Sequence, residues 1–188
     1  MAAHTLTGVS SFTSQLVKPL LGSLFIALAA QVEIVLPISP VPFTLQAQAT
    51  LLVGALLGAR QGFLSVLLYI LEGISQAPVF AGGGAGVLHM IGPSGGYIWG
   101  FALGAAFTGW LAEYGWDKSF FTTALSMLFG NAIIFAAGVA WLSYLFGFSK
   151  ALQFGLYPFV ITDFLKVLFV ANFFPIASRV MNERHFTL

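Results

Sequence analysis

Cysteine is absent from the 188 residues, which excludes disulfides, iron–sulfur clusters and thiol catalysis. Charge is scarce: 7% of residues are Asp, Glu, Lys or Arg, against about 25% in a soluble domain. What charge there is nearly cancels, seven Lys and Arg against six Asp and Glu, so the chain carries no basic footprint for nucleic acid. His4, His89 and His185 are scattered without metal-ligand spacing, and no metal is assigned. No G-x-x-x-x-G-K-[ST] occurs, so a nucleotide-hydrolysing site of that kind is excluded. Nothing places a nucleophile beside a base, and neither an enzymatic role nor a cofactor is assigned. What fills the chain is hydrocarbon, 59% of residues, and it reads as an integral membrane protein of all-α class.

Six transmembrane segments can be drawn. The first runs from about Pro19 to Leu36, and it is too long for the h-region of a cleaved signal, so it is read as retained. Residues 1–18 are expected to form a short cytoplasmic lead, 19–180 the membrane domain and 181–188 a cytoplasmic tail. Pro37, Pro40 and Pro42 cannot continue a helix. The second and third spans are placed at about Leu45 to Leu57 and Phe63 to Ser75, with a turn over Gly58 to Gly62 between them. A long irregular stretch, Gln76 to Ser94, precedes the fourth span (about Gly95 to Leu111), the fifth (Phe120 to Phe146) and the sixth (Phe154 to Ile176). Placing both termini in the cytoplasm puts Lys18, Arg60, Lys118, Arg179 and Arg184 inside and only Lys150 outside. The two Pro/Gly-rich connections then lie on the outer face.

Asp163 and Lys166 fall within the sixth span. A charge at that depth costs about 2.5 to 3.5 kcal/mol on insertion scales, and a spacing of three puts both side chains on one helix face. The pair reads as a structural ion pair, a ligand site or part of a proton relay. A ligand with both donors and acceptors uses it best, because a matched buried pair is a poor source of stability. Gly82 and Gly83 belong to a flexible loop able to close over a small ligand, with Phe80 at one end and Tyr97 at the other. Those two aromatics wall in a flat ligand or belong to the interfacial aromatic belt. Asn131 either lines the pocket or bonds between helices. Glycines 92, 96, 100 and 104, and again 54, 58 and 62, recur every four residues and predict close helix packing. Ser23 and Ala27 form a further small pair, for internal packing or for docking another membrane subunit.

Val41-Pro42-Phe43-Thr44-Leu45-Gln46, Leu57-Gly58-Ala59-Arg60-Gln61-Gly62, Pro78-Val79-Phe80-Ala81-Gly82-Gly83, Gly92-Pro93-Ser94-Gly95-Gly96-Tyr97-Ile98-Trp99-Gly100-Phe101 and Pro158-Phe159 with Asp163 and Lys166 closely resemble the BioY family. Its members are biotin-binding S components of energy-coupling factor transporters. The resemblance implies a six-helix S-component fold in the cell membrane that captures biotin from outside. It also implies partners: a transmembrane coupling subunit and two cytoplasmic ABC-type ATPases. Ser23 stands where S components typically have the first Ala of an Ala-x-x-x-Ala docking pair, Thr162 where Gly commonly precedes the Asp, and Ser94 where Thr is usual.

Biotin suits the residues named. Asp163 is suited to accept from its ureido N–H groups and Lys166 to donate to the ureido oxygen or to the carboxylate. The carboxylate alternatively meets backbone N–H groups around Ser94, Gly95 and Gly96, where a helix begins. Thr44 and Gln46 are expected as further polar contacts. The alternatives are an S component for another small vitamin or heterocycle, and a non-transporting assembly subunit held by its glycine stripes.

Overall fold

The computed structural model describes the backbone of residues 3–184 and the side chains of 15–174. Helix α1 (Ala3–Ala30) carries Pro19 inside it and runs through the boundary expected between lead and first span. The lead is therefore no separate element. The first span also ends at Ala30 rather than Leu36, because the next residues form a small antiparallel hairpin instead. Strand β1 (Glu33–Ile34) pairs with β2 (Phe43–Thr44), Glu33 opposite Thr44 and Ile34 opposite Phe43, with the proline-rich linker as its loop.

Helix α2 (Gln46–Ile74) is continuous in hydrogen bonding but not in direction. Gly58 has φ 82° and ψ 172°, a region essentially open only to glycine. The Gln46 amide bonds the Tyr69 hydroxyl, although 23 residues of straight helix would hold them about 34 Å apart. The two halves, 46–57 and 59–74, therefore run antiparallel, and the turn expected over Gly58 to Gly62 is a reversal at one residue. The Glu113 carboxylate accepts from the Ala59 N–H at 2.8 Å, satisfying a donor at the start of the second half. Gly58→Ala is expected to cost about 1–3 kcal/mol, read as a lower thermal midpoint in detergent.

The connection from 75 to 94 contains a 3₁₀ turn (Ala81–Gly83) and the short helix α3 (Val87–Ile91). Helix α4 (Gly95–Glu113) follows, then α5 (Phe120–Phe146), whose first turn is capped by Ser119 Oγ accepting from Thr122 N–H at 3.3 Å. Gly147, at φ 85°, ends α5 and opens α6 (Phe148–Gly155), an element the sequence reading did not anticipate. Helix α7 (Tyr157–Arg184) completes the chain; the last four residues of the expected tail, with His185, lie outside the described residues.

Six helical segments build the bundle: α1, the two halves of α2, α4, α5 and α7. By length and composition Gln46–Ile74, Phe120–Phe146 and the stretch 148–174 are apolar enough to cross a membrane. The glycine stripes act in packing. A Cβ on Gly96 would meet the Ala137 carbonyl oxygen at 2.7 Å, and one on Gly100 would meet Ile134 Cα at 3.0 Å, so α4 lies backbone to backbone against α5. Gly54 and Gly109 make the same close approach between α2 and α4. Ser23 and Ala27 are buried rather than presented outward, and Ser23 Oγ donates to a Glu72 carboxylate oxygen at 3.0 Å. In this arrangement the pair serves internal packing. Leu20, Leu24 and Leu28 form the exposed face of α1, as lipid contact requires.

Candidate functional site

At the end of the bundle covered by the β-hairpin and the 75–94 connection lies a narrow recess of about 560 Å³, counting its open mouth. Each of the six bundle segments except α1 and the second half of α2 contributes to its wall. Its polar centre is on α7. Lys166 Nζ donates to Asp163 Oδ1 and to the Thr44 carbonyl oxygen, each at 2.8 Å, and stands 3.5 Å from the centroid of the Phe43 ring. An ammonium group has three donors, and here two are bonded while an aromatic face takes the remaining positive charge. The side chains are 15% and 8% exposed for Lys166 and Asp163. Among the described residues no hydrogen bond reaches Asp163 Oδ2, so one carboxylate oxygen is left for a donor from outside.

Around this pair the recess combines a few polar groups with apolar walls, the composition of small-molecule sites. Thr44 and Gln46 both line it. The Gln46 backbone N–H donates to Thr44 Oγ1 at 3.3 Å, while its side-chain amide bonds Tyr69, whose hydroxyl donates to the Val79 carbonyl at 3.1 Å. That chain ties the polar floor to the covering connection. Tyr97 walls the recess with its ring and spends its hydroxyl on the Gly155 carbonyl at 2.7 Å, anchoring α6 over α4. Ser94 is also in the wall.

Several expected residues lie elsewhere. Phe80 is fully buried, edge-on to Tyr69 and stacked on His89 with centroids 5.0 Å apart, so it anchors the covering connection from below and does not line the recess. Ala81 takes the lining position beside it. Gly82 packs over the Glu33 carboxylate, and neither it nor Gly83 reaches the recess. Gly95 and Gly96 serve the close approach to Met90 and Trp141. The Gly95 and Tyr97 N–H groups are taken by the Gly92 and Ser94 carbonyls at 3.0 and 3.1 Å, which weakens the start of α4 as an anion site. Asn131 is buried one turn away, facing a shallow groove with Val160 and Phe164 of α7, and its Oδ1 has no partner. It neither lines the recess nor makes the expected interhelical bond through that oxygen.

The sequence model of the BioY family matches residues 2–183. The chain belongs to the BioY family. Within it, the chain is 39% identical over 158 residues to the biotin transporter BioY of Thermotoga maritima, covering 84% of this chain and 91% of that one. It is also 39% identical over 145 residues to the "Probable biotin transporter BioY" of Pyrococcus horikoshii, covering 77% and 85%. The fold matches the crystal structure of the S-component for biotin from an ECF-type ABC transporter, with a TM-score of 0.79 and 25% identity over 92% of this chain and 93% of that one. This BioY family member is thus an integral membrane protein of S-component fold.

This chain also has lining residues that were not singled out as ligand contacts: Ile98, Phe101 and Phe159, which the motifs contain, and His89 from α3 with Ile134 and Phe135 from α5, which they do not. Phe101 follows Tyr97 by four residues and Phe159 precedes Asp163 by four, so helical spacing alone could have found both. The His89 imidazole is half-buried, which lowers its pKa from the ordinary 6.5, while the Glu33 carboxylate opposes the shift. A ring with a depressed folded pKa leaves stability intact above 6.5 and loses it as pH falls through that value toward the folded pKa. The thermal midpoint is accordingly expected to drop between about pH 7.5 and about pH 5.5, with His89→Gln flattening the dependence.

Proposed function

We propose that this chain is the biotin-capturing S component of an energy-coupling factor transporter, taking up the vitamin at the loop-covered end, which faces outward. The observation that carries the reading is the pair on α7. Asp163 is buried and Lys166 half-buried in a recess where polar groups from the hairpin, α2, α3 and α7 converge, in a fold matched to a biotin S-component. Asp163 accepts from the ureido N–H groups, and Lys166 exchanges one of its present acceptors for the ureido oxygen or the valerate carboxylate. Ile98, Phe101 and Phe135 enclose the thiophane ring and the alkyl chain. Both termini face the cytoplasm, as the distribution of basic residues favours.

Uptake couples this chain to a transmembrane subunit and two cytoplasmic ATPases, which supply the work of inward release; the chain itself is a transporter subunit and performs no catalysis. Equilibrium binding of labelled biotin to the purified chain tests the assignment. Saturable binding that desthiobiotin competes and unrelated vitamins do not is expected. Displacement by another vitamin at lower concentration would reassign the ligand. Comparing biotin with its methyl ester decides which end meets Lys166: if it is the carboxylate, Lys166→Gln and esterification weaken binding by the same factor and are not additive.

A further inference from the structure

Gln46 stands in the wall of the recess, where the hairpin passes into α2, and a glutamine amide can offer a ligand either a donor or an acceptor. Which of the two it offers is decided by a residue outside the recess. Tyr69, 23 residues further on in the second half of α2, is fully buried and does not line the recess. Its hydroxyl carries a single proton, and that proton goes to the Val79 carbonyl oxygen at 3.1 Å. Toward Gln46 the same oxygen can only accept, so it takes the amide Nε2, and the amide oxygen is turned the other way. Gln46 Oε1 is left with the Thr44 hydroxyl at 3.5 Å, a long and weak contact. The ring that imposes this orientation is itself held, since the fully buried Phe80 packs edge-on against it with centroids 5.4 Å apart.

The surroundings give that oxygen a use. Lys166 Nζ bridges Asp163 on α7 and the Thr44 carbonyl on the hairpin, so the ammonium has Asp163 on one side and the corner from Thr44 to Gln46 on the other. Two acceptors are therefore not committed to a strong bond, Asp163 Oδ2 and Gln46 Oε1, and a cation lies between the residues that carry them. A cyclic urea is the complementary pattern, a carbonyl oxygen between two N–H groups. With the Gln46 amide turned over, a ligand N–H would meet another N–H.

We propose that Tyr69 is a positioning residue for ligand recognition: by accepting from Gln46 Nε2 it fixes Gln46 Oε1 as an acceptor in the recess, where that oxygen shares the ureido N–H groups of the ligand with Asp163. The inference rests on the biotin reading above. Because the Tyr69 proton is held by Val79, in the connection that covers the recess, the covering segment also sets the hydrogen-bonding polarity of the site beneath it.

Equilibrium binding to the purified chain tests this, with biotin and with the two oxazolidinone analogues in which one or the other ureido N–H is replaced by a ring oxygen. Tyr69→Phe keeps the ring, removes only the hydroxyl, and is expected to weaken biotin binding about three- to tenfold. Gln46→Leu should weaken it at least as much, and Tyr69→Phe should add nothing in that background, because the hydroxyl acts through the amide. The wild-type chain should reject both analogues, since an acceptor would face an acceptor. In Tyr69→Phe the amide is free to turn and donate from Nε2, so rejection of one analogue should fall several-fold while rejection of the other, whose missing N–H faced Asp163, stays as strong. A role for Tyr69 in the fold alone would change neither that ratio nor the additivity. Unchanged biotin affinity in Tyr69→Phe, or a loss of the same factor with and without Gln46→Leu, would overturn the inference and leave the biotin reading in place. Absence of saturable biotin binding by the wild-type chain would overturn both.

Discussion

Asp163→Asn is expected to weaken biotin binding about ten- to hundredfold, the equivalent of about 1.5–3 kcal/mol for a hydrogen bond to a charged group. The carboxylate has two oxygens in the recess, one holding Lys166 at 2.8 Å and the other open to a ligand donor. Asparagine keeps the shape and one acceptor but presents an amide N–H₂ where the second oxygen stood, so one ureido N–H faces a donor instead of an acceptor. The Lys166 ammonium also loses its counter-charge and keeps only the hydrogen bond to the Thr44 carbonyl. The measurement is equilibrium binding on variant protein whose thermal midpoint stays close to wild type. Unchanged affinity would place the ligand away from α7.

The same pair shows how far the sequence carried the argument. Asp163 and Lys166 were legible because a helix register of three fixes their mutual geometry whatever surrounds them, and they meet as expected. Thr44 and Gln46 were legible because the three prolines before them keep the linker non-helical, and that linker is the loop of the hairpin that covers the recess. Asn131 was not, since a register fixes the face of a residue on its own helix but not the neighbour that face meets. On α5 it is Ile134 and Phe135 that reach the recess, while Asn131 turns toward Val160 and Phe164. Phe80 misled for a related reason: its slot is formed by Tyr69 and His89, eleven residues before and nine after it, and local sequence gives no sign that the ring turns inward. The reversal at Gly58 was placed correctly but spread over five residues, because the motif names the glycines without saying which takes the positive φ.

Lys166→Met alone is expected to lower the stability of the ligand-free protein by about 3–5 kcal/mol, the usual effect of removing one partner of a buried pair. Asp163, 8% exposed at its side chain, would be left with no counter-charge, and the Thr44 carbonyl would lose its donor. Adding Asp163→Leu removes the stranded charge, and the double variant is expected to recover most of the loss, short by the smaller cost of the unpaired carbonyl, about 1–3 kcal/mol. Reversible unfolding in detergent, without biotin, measures both. The comparison separates the two reasons a membrane helix retains such a pair. If the charges exist for the fold, the double variant should be at least as damaged as the single. If they exist for the ligand, stability should return while biotin binding does not. The geometry favours the second outcome: the ion pair joins two residues of the same helix one turn apart and so ties nothing to the hairpin, whose links to α7 are the Lys166 bond to the Thr44 carbonyl and the contacts of the Phe43 ring with Lys166 and Phe159.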